Sequence, residues 1–453
     1  MKKYKNISLL CGLLLATFTA SAQDKLSLQE AISTALSNNY QLKAVAVNKE
    51  IAENNATVGN AGLLPSVSLN GGGEYSNNNT EIEFLSAGGN NQQQGGGGDV
   101  PIEANRLEID GASSINYNAR VQVDYTLFDG FGNYYTFKKL KQNKELEDVK
   151  YRQQMENTVA QVVQFYYAVS RQQRNLQVAK STMAITRDRV KRLKDQYAYG
   201  QVNKLAVLNA EVDLNTDSTK VLEAEQGYEM SLRDLNVVLG QEVNTVYAVD
   251  TEVVYQEELS AEEIMSNIRS NNASLQAQQM QVEVNQLDTR IAQAGKAPRV
   301  SAYGSYGWNQ MESDASQVTY NQSIGYSAGV RLSWNLFNGN QVSTRVQNAK
   351  LATEAQQNQL NQMQIDLERR AANAWTDYEY KKRIASMEET GVERAKLNFE
   401  QTKERYELGQ VTSVEFRTAQ ENLRMAENRL SNARYAAKIS EVNLLQLAGM
   451  LIN

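Results

Sequence analysis

The feature that most constrains the fold is an internal duplication. "LSLQEAI" from Leu26 is matched by "LSAEEIM" from Leu259, an interval of 233 residues. Asn38-Asn39 with Asn271-Asn272, and Pro65 with Pro298, keep that interval. Further on the interval is 209: "YTLFDGFGN" from Tyr125 matches "WNLFNGNQV" from Trp334, "YGQV" from Tyr199 matches "LGQV" from Leu408, and "LGQ" from Leu239 matches "AGM" from Ala448. The first copy therefore carries 24 extra residues between Tyr75 and Tyr125, within a stretch that contains "GGNNQQQGGGGD". A chain of 453 residues would by length alone suggest two or three domains. Two copies of one plan imply a single pseudo-symmetric architecture instead.

Each copy reads helix, strand, strand, very long helix, turn, long helix. Ile115, Tyr117, Ala119, Val121, Val123, Tyr125 and Leu127 alternate with polar residues that include Arg120 and Asp124. Ile324, Tyr326, Ala328, Val330, Leu332, Trp334 and Leu336 repeat the pattern, with Arg331 on the polar side. Period two with one apolar face predicts strands. Leu63–Tyr75 and Val300–Trp308 are weaker, Gly-rich versions, with Pro65 and Pro298 near the strand entrances, where a missing N–H is tolerated. Tyr75, Tyr125, Trp308 and Trp334 lie near strand ends on the apolar side and suit an interfacial aromatic girdle or packing between subunits.

The helical segments have another period. Leu423, Ala426, Leu430, Ala433, Ala437, Ser440, Leu444 and Leu447 step by four and three. Leu214, Asp217, Val221, Ala224, Tyr228, Ser231, Leu235 and Val238 do so in the first copy, at the same register. That spacing predicts coiled-coil seams. The segments before them, about 133–199 and 342–408, contain no Pro. At ~1.5 Å per residue each makes a helix roughly 100 Å long, too long for an ordinary globular core.

Composition narrows the function classes. With 46 Lys+Arg against 52 Asp+Glu there is no basic excess, so nucleic acid is not the expected partner. There is no His and a single Cys, Cys11, which removes the commonest general base and rules out an intrachain disulfide. No nucleophile–base pair, metal ligand set or cofactor motif stands out; "GGGGD" lacks the Lys-Ser/Thr and the strand–loop–helix context of a phosphate loop. Lys2, Lys3 and Lys5, an apolar Ile7–Phe18 and Ala20-Ser21-Ala22 predict a secretory signal peptide over 1–22, cleaved after Ala22, with a mature charge of (46 − 3) − 52 = −9. Cys11 lies inside the apolar run behind Leu9-Leu10, so lipidation is not expected.

Four strands do not close a barrel, and a sheet in a bilayer must leave no open edge, because each unpaired backbone group there costs several kcal/mol. Single-chain barrels use about eight strands or more. Closure therefore demands several copies, and three copies supply about 12 strands.

With its duplicated plan, its "LFDG" and "LFNG" strand-to-helix junctions, and its "YAYGQVNKLAVLNAE" and "YELGQVTSVEFRTAQE" turns, the chain resembles the TolC family of outer-membrane efflux channels from Leu26 to about Leu451. The resemblance implies an α+β homotrimer with a shared 12-stranded barrel, an α-helical barrel in the periplasm, and partnership with a periplasmic adaptor and an inner-membrane transporter. It sets a first repeat at 23–240, with strands about 63–75 and 115–128, an extracellular loop about 76–114 and a helical hairpin about 131–239. An equatorial linker with a short strand follows at 241–258. The second repeat, 259–453, has strands about 298–309 and 324–337 and a hairpin about 340–449.

It also implies roles for individual residues. The turns at Tyr197, Gly200, Gln201, Val202 and at Tyr406, Gly409, Gln410, Val411 match the periplasmic tips, where the channel narrows and the adaptor docks. Gly at these points equally suits a plain helix cap. The archetype's closing Arg and Asp fall on Val411 and Ala206, so that ion pair is absent. Glu415 matches an acidic pore ring, and the second ring falls on Thr418; Glu415 also fits a first-turn glutamate favoured by the helix dipole. Arg120, Asp124 and Arg331 would face the barrel lumen. The competing expectation is a secreted coiled-coil surface protein, which accounts for the heptads but not for the four alternating strands.

Overall fold

The computed structural model describes residues 25–85, 104–255, 259–314 and 318–452. The expected signal peptide, with Cys11 and Ala22, lies outside the described residues. The elements run β1 (Lys25–Leu26), α1 (Leu28–Asn38), α2 (Tyr40–Asn55), β2 (Ser66–Leu85), β3 (Ala104–Phe128), α3 (Gly132–Ala198) and α4 (Lys204–Leu239). The plan then repeats as β4 (Ala248–Val249), α5 (Ala261–Asn271), α6 (Ala273–Ala294), β5 (Arg299–Ser313), β6 (Tyr320–Ser333), α7 (Gln341–Glu407) and α8 (Ser413–Leu447). α3 and α7 each have 67 residues. Among the described residues no helix is long and apolar enough to cross a membrane.

The chain divides into two compact units. The sheet-bearing unit comprises Lys49–Asp148 and Gln278–Asn361. Its four strands form one antiparallel sheet in the order β2-β3-β5-β6. Leu69 pairs with Val121, Val121 with Tyr306, and Tyr306 with Tyr326, so the alternating residues meet on one face. That face is exposed in the single chain: Leu69 is 76% accessible and Tyr326 87%. Arg120, Asp124 and Arg331 share the opposite, polar face, where the Arg331 guanidinium lies 5.2 Å from the Tyr303 ring centroid.

The strands depart from the expected bounds. The tract expected as a loop over 76–114 instead continues the first hairpin, with Ser76–Leu85 pairing against Ala104–Ser114 across a register irregularity at Asn78/Thr80. Ladder bonds use backbone groups, so a polar tract extends a hairpin once its register is set, and Thr80, Ile82 and Phe84 still alternate with Glu81 and Glu83. Residues 86–103 of that tract lie outside the described residues. β6 stops at Ser333, short of the expected 337, because its partner strand begins only at Arg299, directly after Pro298. Trp334 donates instead through Nε1 to the Lys296 carbonyl at 3.1 Å.

The second unit comprises the residues up to Asn48, Val149–Ala277 and Gln362 onward. Its core gathers Val162, Tyr166, Val169, Leu235, Leu239 and Val249, all almost fully buried. β1 and β4 pair in parallel, Leu26 opposite Val249. The Tyr166 hydroxyl ties both strands, donating to the Leu26 carbonyl and accepting from the Asp250 N–H, each at 2.9 Å. The seam residues on α4 and α8 are all buried or half-buried, as the heptads predict.

The duplicated Asn-Asn and Gly motifs have one structural task. Asn39 caps α2 by accepting from the Leu42 N–H at 3.0 Å and donates to the Val238 carbonyl at the end of α4 at 2.9 Å. Asn272 does the same in the second repeat, accepting from the Leu275 N–H and donating to the Leu447 carbonyl, each at 2.9 Å. Gly240 (φ 68°) and Gly449 (φ 64°) end the long helices against these joints. A Cβ at either would lie 2.6 Å from the carbonyl oxygen of Asn38 or Asn271. Only glycine fits both the left-handed backbone and the close approach.

Asn39→Ala is expected to leave the end of α4 and the start of α2 unsatisfied and to destabilise the fold by about 1–3 kcal/mol. Asn272→Ala should match it. A lowered unfolding midpoint by far-UV circular dichroism checks both, and an unchanged midpoint for either contradicts the joint's role.

Candidate functional site: the ends of the helical hairpins

The two hairpins turn by the same device. After α3, the Gln201 N–H bonds to the Gln196 carbonyl at 2.9 Å and the Gly200 N–H to the Tyr197 carbonyl at 3.0 Å. After α7, Gln410 bonds to Arg405 at 2.9 Å and Gly409 to Tyr406 at 3.1 Å. This double pattern is the Schellman cap, and it requires the left-handed backbone seen at Gly200 (φ 71°) and Gly409 (φ 72°). A Cβ at either glycine would meet nothing, so here only the backbone conformation demands glycine. The following helices are capped in kind. The Asn203 side chain accepts from the Ala206 N–H at 3.0 Å, and Thr412 accepts from the Glu415 N–H at 3.2 Å. In the second repeat Glu415 completes a capping box by accepting from the Thr412 N–H at 2.7 Å.

The residues expected at the tips fall into three settings. Tyr199, Gln201, Leu408 and Gln410 are exposed. Val202 and Ala206 pack on Val190, Leu193, Val207 and Ala210, so the first position of the archetype's ion pair lies in an apolar cluster. Tyr406 stacks on Phe416 at 4.7 Å between ring centroids, and Phe399 adds a tilted contact at 5.6 Å. Val411 is half-buried. Tyr197 is 48% exposed and does not share the burial of its counterpart. Glu415 and Thr418 are exposed on α8. The Thr412 N–H and hydroxyl hold the Glu415 carboxyl below the usual range, and the Thr418 hydroxyl donates to the Val414 carbonyl at 2.9 Å.

A buried charge network joins α3, α4 and α8 deeper in the same unit. Arg417 donates to Asp217 through both terminal guanidinium nitrogens, Nη1 and Nη2, at 2.6 and 2.7 Å. The Thr186 hydroxyl donates to the same carboxylate at 2.7 Å. Gln420 donates to the Thr182 carbonyl at 3.0 Å and to the Thr186 hydroxyl at 3.1 Å. Glu421 takes Arg417 at 3.0 Å, Arg424 at 2.8 Å and Lys220 at 3.3 Å. Arg189, with a side chain only 2% exposed, pairs with Asp213. The Asp217 side chain is 1% exposed. Its burial disfavours the charge, but the hydrogen bonds from Arg417 and Thr186 outweigh that and hold its carboxyl below the ordinary 3.8.

A single sequence feature points to this network. Asp217 occupies a seam position whose counterpart in the second repeat is Ala426. A lone carboxylate in an apolar seam demands a cation, and Arg417 supplies it from the other hairpin. Of the remaining expected residues, Arg120, Asp124 and Arg331 belong to the other unit. Among the described residues no three His, Cys, Asp or Glu group as a metal site.

Removing one partner of a buried pair leaves the other uncompensated, at a cost of about 3–5 kcal/mol. Asp217→Ala and Arg417→Ala are therefore each expected to lower the unfolding midpoint strongly, and Asp217→Leu with Arg417→Met to recover most of the loss. The Asp217 carboxyl is depressed in the folded state, so its stabilisation is complete above the unfolded-chain value of ~3.9 and is lost as pH falls through the folded one. The stability gap between wild type and Asp217→Asn should hold from pH 7 to 5 and narrow near pH 3, read from thermal melts; a gap that widens in acid contradicts the assignment.

A family model for outer membrane efflux proteins matches residues 31–241 and 264–450. The chain is 23% identical over 448 residues to the outer membrane protein TolC of Vibrio cholerae, covering 97% of this chain and 95% of that one. Its fold is similar to the crystal structure of the outer membrane protein VceC of Vibrio cholerae (TM-score 0.72, 15% identity, 93% of this chain and 96% of that chain). It is similar also to the open state of the Neisseria gonorrhoeae MtrE outer membrane channel (TM-score 0.71, 16% identity, 94% of this chain and 89% of that chain). With the duplicated plan, the four-stranded sheet and the paired helical hairpins, the match over both repeats places the chain in the outer membrane efflux protein family.

Proposed function

We propose that the protein is the outer-membrane exit duct of a tripartite efflux pump or a type I secretion system. Three copies close a 12-stranded barrel, and solutes diffuse through it from periplasm to exterior. The observation that carries this is the sheet: four strands whose outer edges, β2 and β6, pair with no other described strand, and an apolar face left open to the surroundings. A soluble monomer rarely tolerates an apolar surface of that extent, and a bilayer does not tolerate the edges. Pairing β2 of one copy with β6 of the next answers both. The polar face with Arg120, Asp124 and Arg331 then lines the lumen.

The hairpin ends form the periplasmic gate. An exposed Tyr197, Gly200, Gln201, Gly409 and Gln410 give the adaptor a surface to dock on, and Glu415 with Thr418 lines the narrowest ring, where three carboxylates favour cations over anions. The positions of the archetype's closing pair, Ala206 and Val411, are apolar here. The Arg417–Asp217 pair takes over the task of holding the second hairpin to the first, and opening requires this bond to loosen. The energy for transport comes from the inner-membrane partner. A secreted coiled-coil surface protein would not need the exposed apolar sheet face.

Extraction from the outer-membrane fraction in mild detergent should yield a trimer, and a soluble monomer or dimer contradicts the duct. In planar bilayers the wild type should conduct poorly from the closed state, and Asp217→Asn or Arg417→Gln should raise the conductance several-fold. Glu415→Ala should weaken the preference for cations without opening the channel, read as a shift in reversal potential in a salt gradient.

A further inference from the structure

A basic groove of about 690 Å³ lies in the sheet-bearing unit between α3, α6 and α7, close below the strand ends. Lys138, Lys141, Arg290 and Lys350 line it against a single carboxylate, Glu283. Neighbouring lysines are neutralised: Lys139 pairs with Asp288 and Lys144 with Glu53. The four groove cations have no carboxylate partner among the described residues. Glu283 is engaged by the Gln142 amide at 2.7 Å. The groove is therefore left with a surplus of positive charge that no carboxylate among the described residues balances.

Two of the cations are also aimed toward the sheet. β3 ends at Phe128, and α3 begins at Gly132. The Lys138 ammonium lies 4.9 Å from the Tyr134 ring centroid, and that of Lys141 lies 4.6 Å from the ring of Phe137. Each side chain thus folds back one turn along α3, toward the strand end. Above them the surface turns apolar: Phe131 is 62% exposed and Tyr134 44%. At the base of β6, Leu336 and Phe337 are about as open, at 80% and 81%. An anionic group seated on the cations, with hydrocarbon attached above it, would meet both surfaces.

We infer that this groove binds the phosphate of an anionic phospholipid from the inner leaflet of the membrane that the strands cross. The inference rests on the duct reading, because it needs the apolar strand face to lie in lipid. A free phosphate would satisfy the same cations. The exposed apolar residues where the strands hand over to α3 and α7 favour the lipid as the source.

The test uses the purified full-length trimer, delipidated in mild detergent and titrated with phosphatidylglycerol, phosphatidylcholine or inorganic phosphate, with bound adducts counted by native mass spectrometry. Phosphatidylglycerol should be retained in preference to phosphatidylcholine. Each Lys or Arg near an anionic surface contributes enough that removing three weakens binding roughly a hundredfold. Lys138→Gln, Arg290→Gln and Lys350→Gln together should show that loss, and Lys350→Gln alone about a fivefold one, which keeps the test available if the triple variant does not assemble. Lys43→Gln, Lys180→Gln and Arg233→Gln remove the same charge elsewhere and should leave retention unchanged.

Equal retention by the groove variant and the wild type overturns the site. Inorganic phosphate displacing phosphatidylglycerol at equal concentration overturns the lipid as its ligand. A trimer that retains no lipid overturns the inference alone. A chain that forms no detergent-bound trimer overturns the duct reading and this inference with it.

Discussion

Unpaired backbone groups set the terms for this protein. A sheet of four strands satisfies its interior N–H and C=O groups and leaves two edges that do not satisfy theirs. In water such an edge is a risk for aggregation; in hydrocarbon each group costs several kcal/mol. The apolar face carried by Leu69, Val121, Tyr306 and Tyr326 makes water the poorer environment for this sheet. The edges make hydrocarbon impossible for one copy alone. Under the proposed trimer the two demands are met together, and the helical hairpins follow from the same requirement, since each strand pair has to hand its chain on to helices outside the membrane.

Duplication is the economical answer to that arrangement, and it is visible down to single hydrogen bonds. Asn39 and Asn272 make equivalent pairs of bonds, Gly240 and Gly449 admit equivalent close approaches, and Gly200 and Gly409 end equivalent caps. These sites hold the scaffold and are kept symmetric. The long hairpins also depart from symmetry. Asp217 stands where the second repeat has Ala426, Arg417 where the first has Leu208, and the capping box of Thr412 and Glu415 has only Asn203 and Ala206 as its counterpart. Asymmetric polar contacts between two similar hairpins fix which faces meet, at the cost of desolvating charge. A bond of that kind suits an element that has to hold one arrangement and release it on demand.

Much of this architecture could be read from the sequence because its signals are local and repeated. Period-two alternation set the strands and their apolar face, the heptads set the seams on α4 and α8, and the Gly-Gln-Val turns set the hairpin ends. Strand length was less legible: the Asn-rich part of β2 offers no apolar alternation near Asn77–Asn79, and its pairing rests on backbone bonds to β3 that a composition cannot reveal. The candidate site was the least legible part. The positions matching the archetype's ion pair are Ala206, packed in an apolar cluster, and the half-buried Val411. The charge network lies at Asp217 and Arg417, 200 residues apart in the chain.

The sequence by itself determined the duplicated plan, because the two copies match at fixed intervals, and the strand faces, seam registers and glycine-capped turns, because each of these depends on residues within a few positions of one another and on the fixed periods of helix and strand. Only the tertiary structure decided that Asp217 meets Arg417 and Thr186, that Tyr406 stacks on Phe416, and that four cations converge between α3, α6 and α7 around the single carboxylate Glu283. Those contacts join residues on different helices. Their strength comes from burial and geometry, which exist only once the helices are packed.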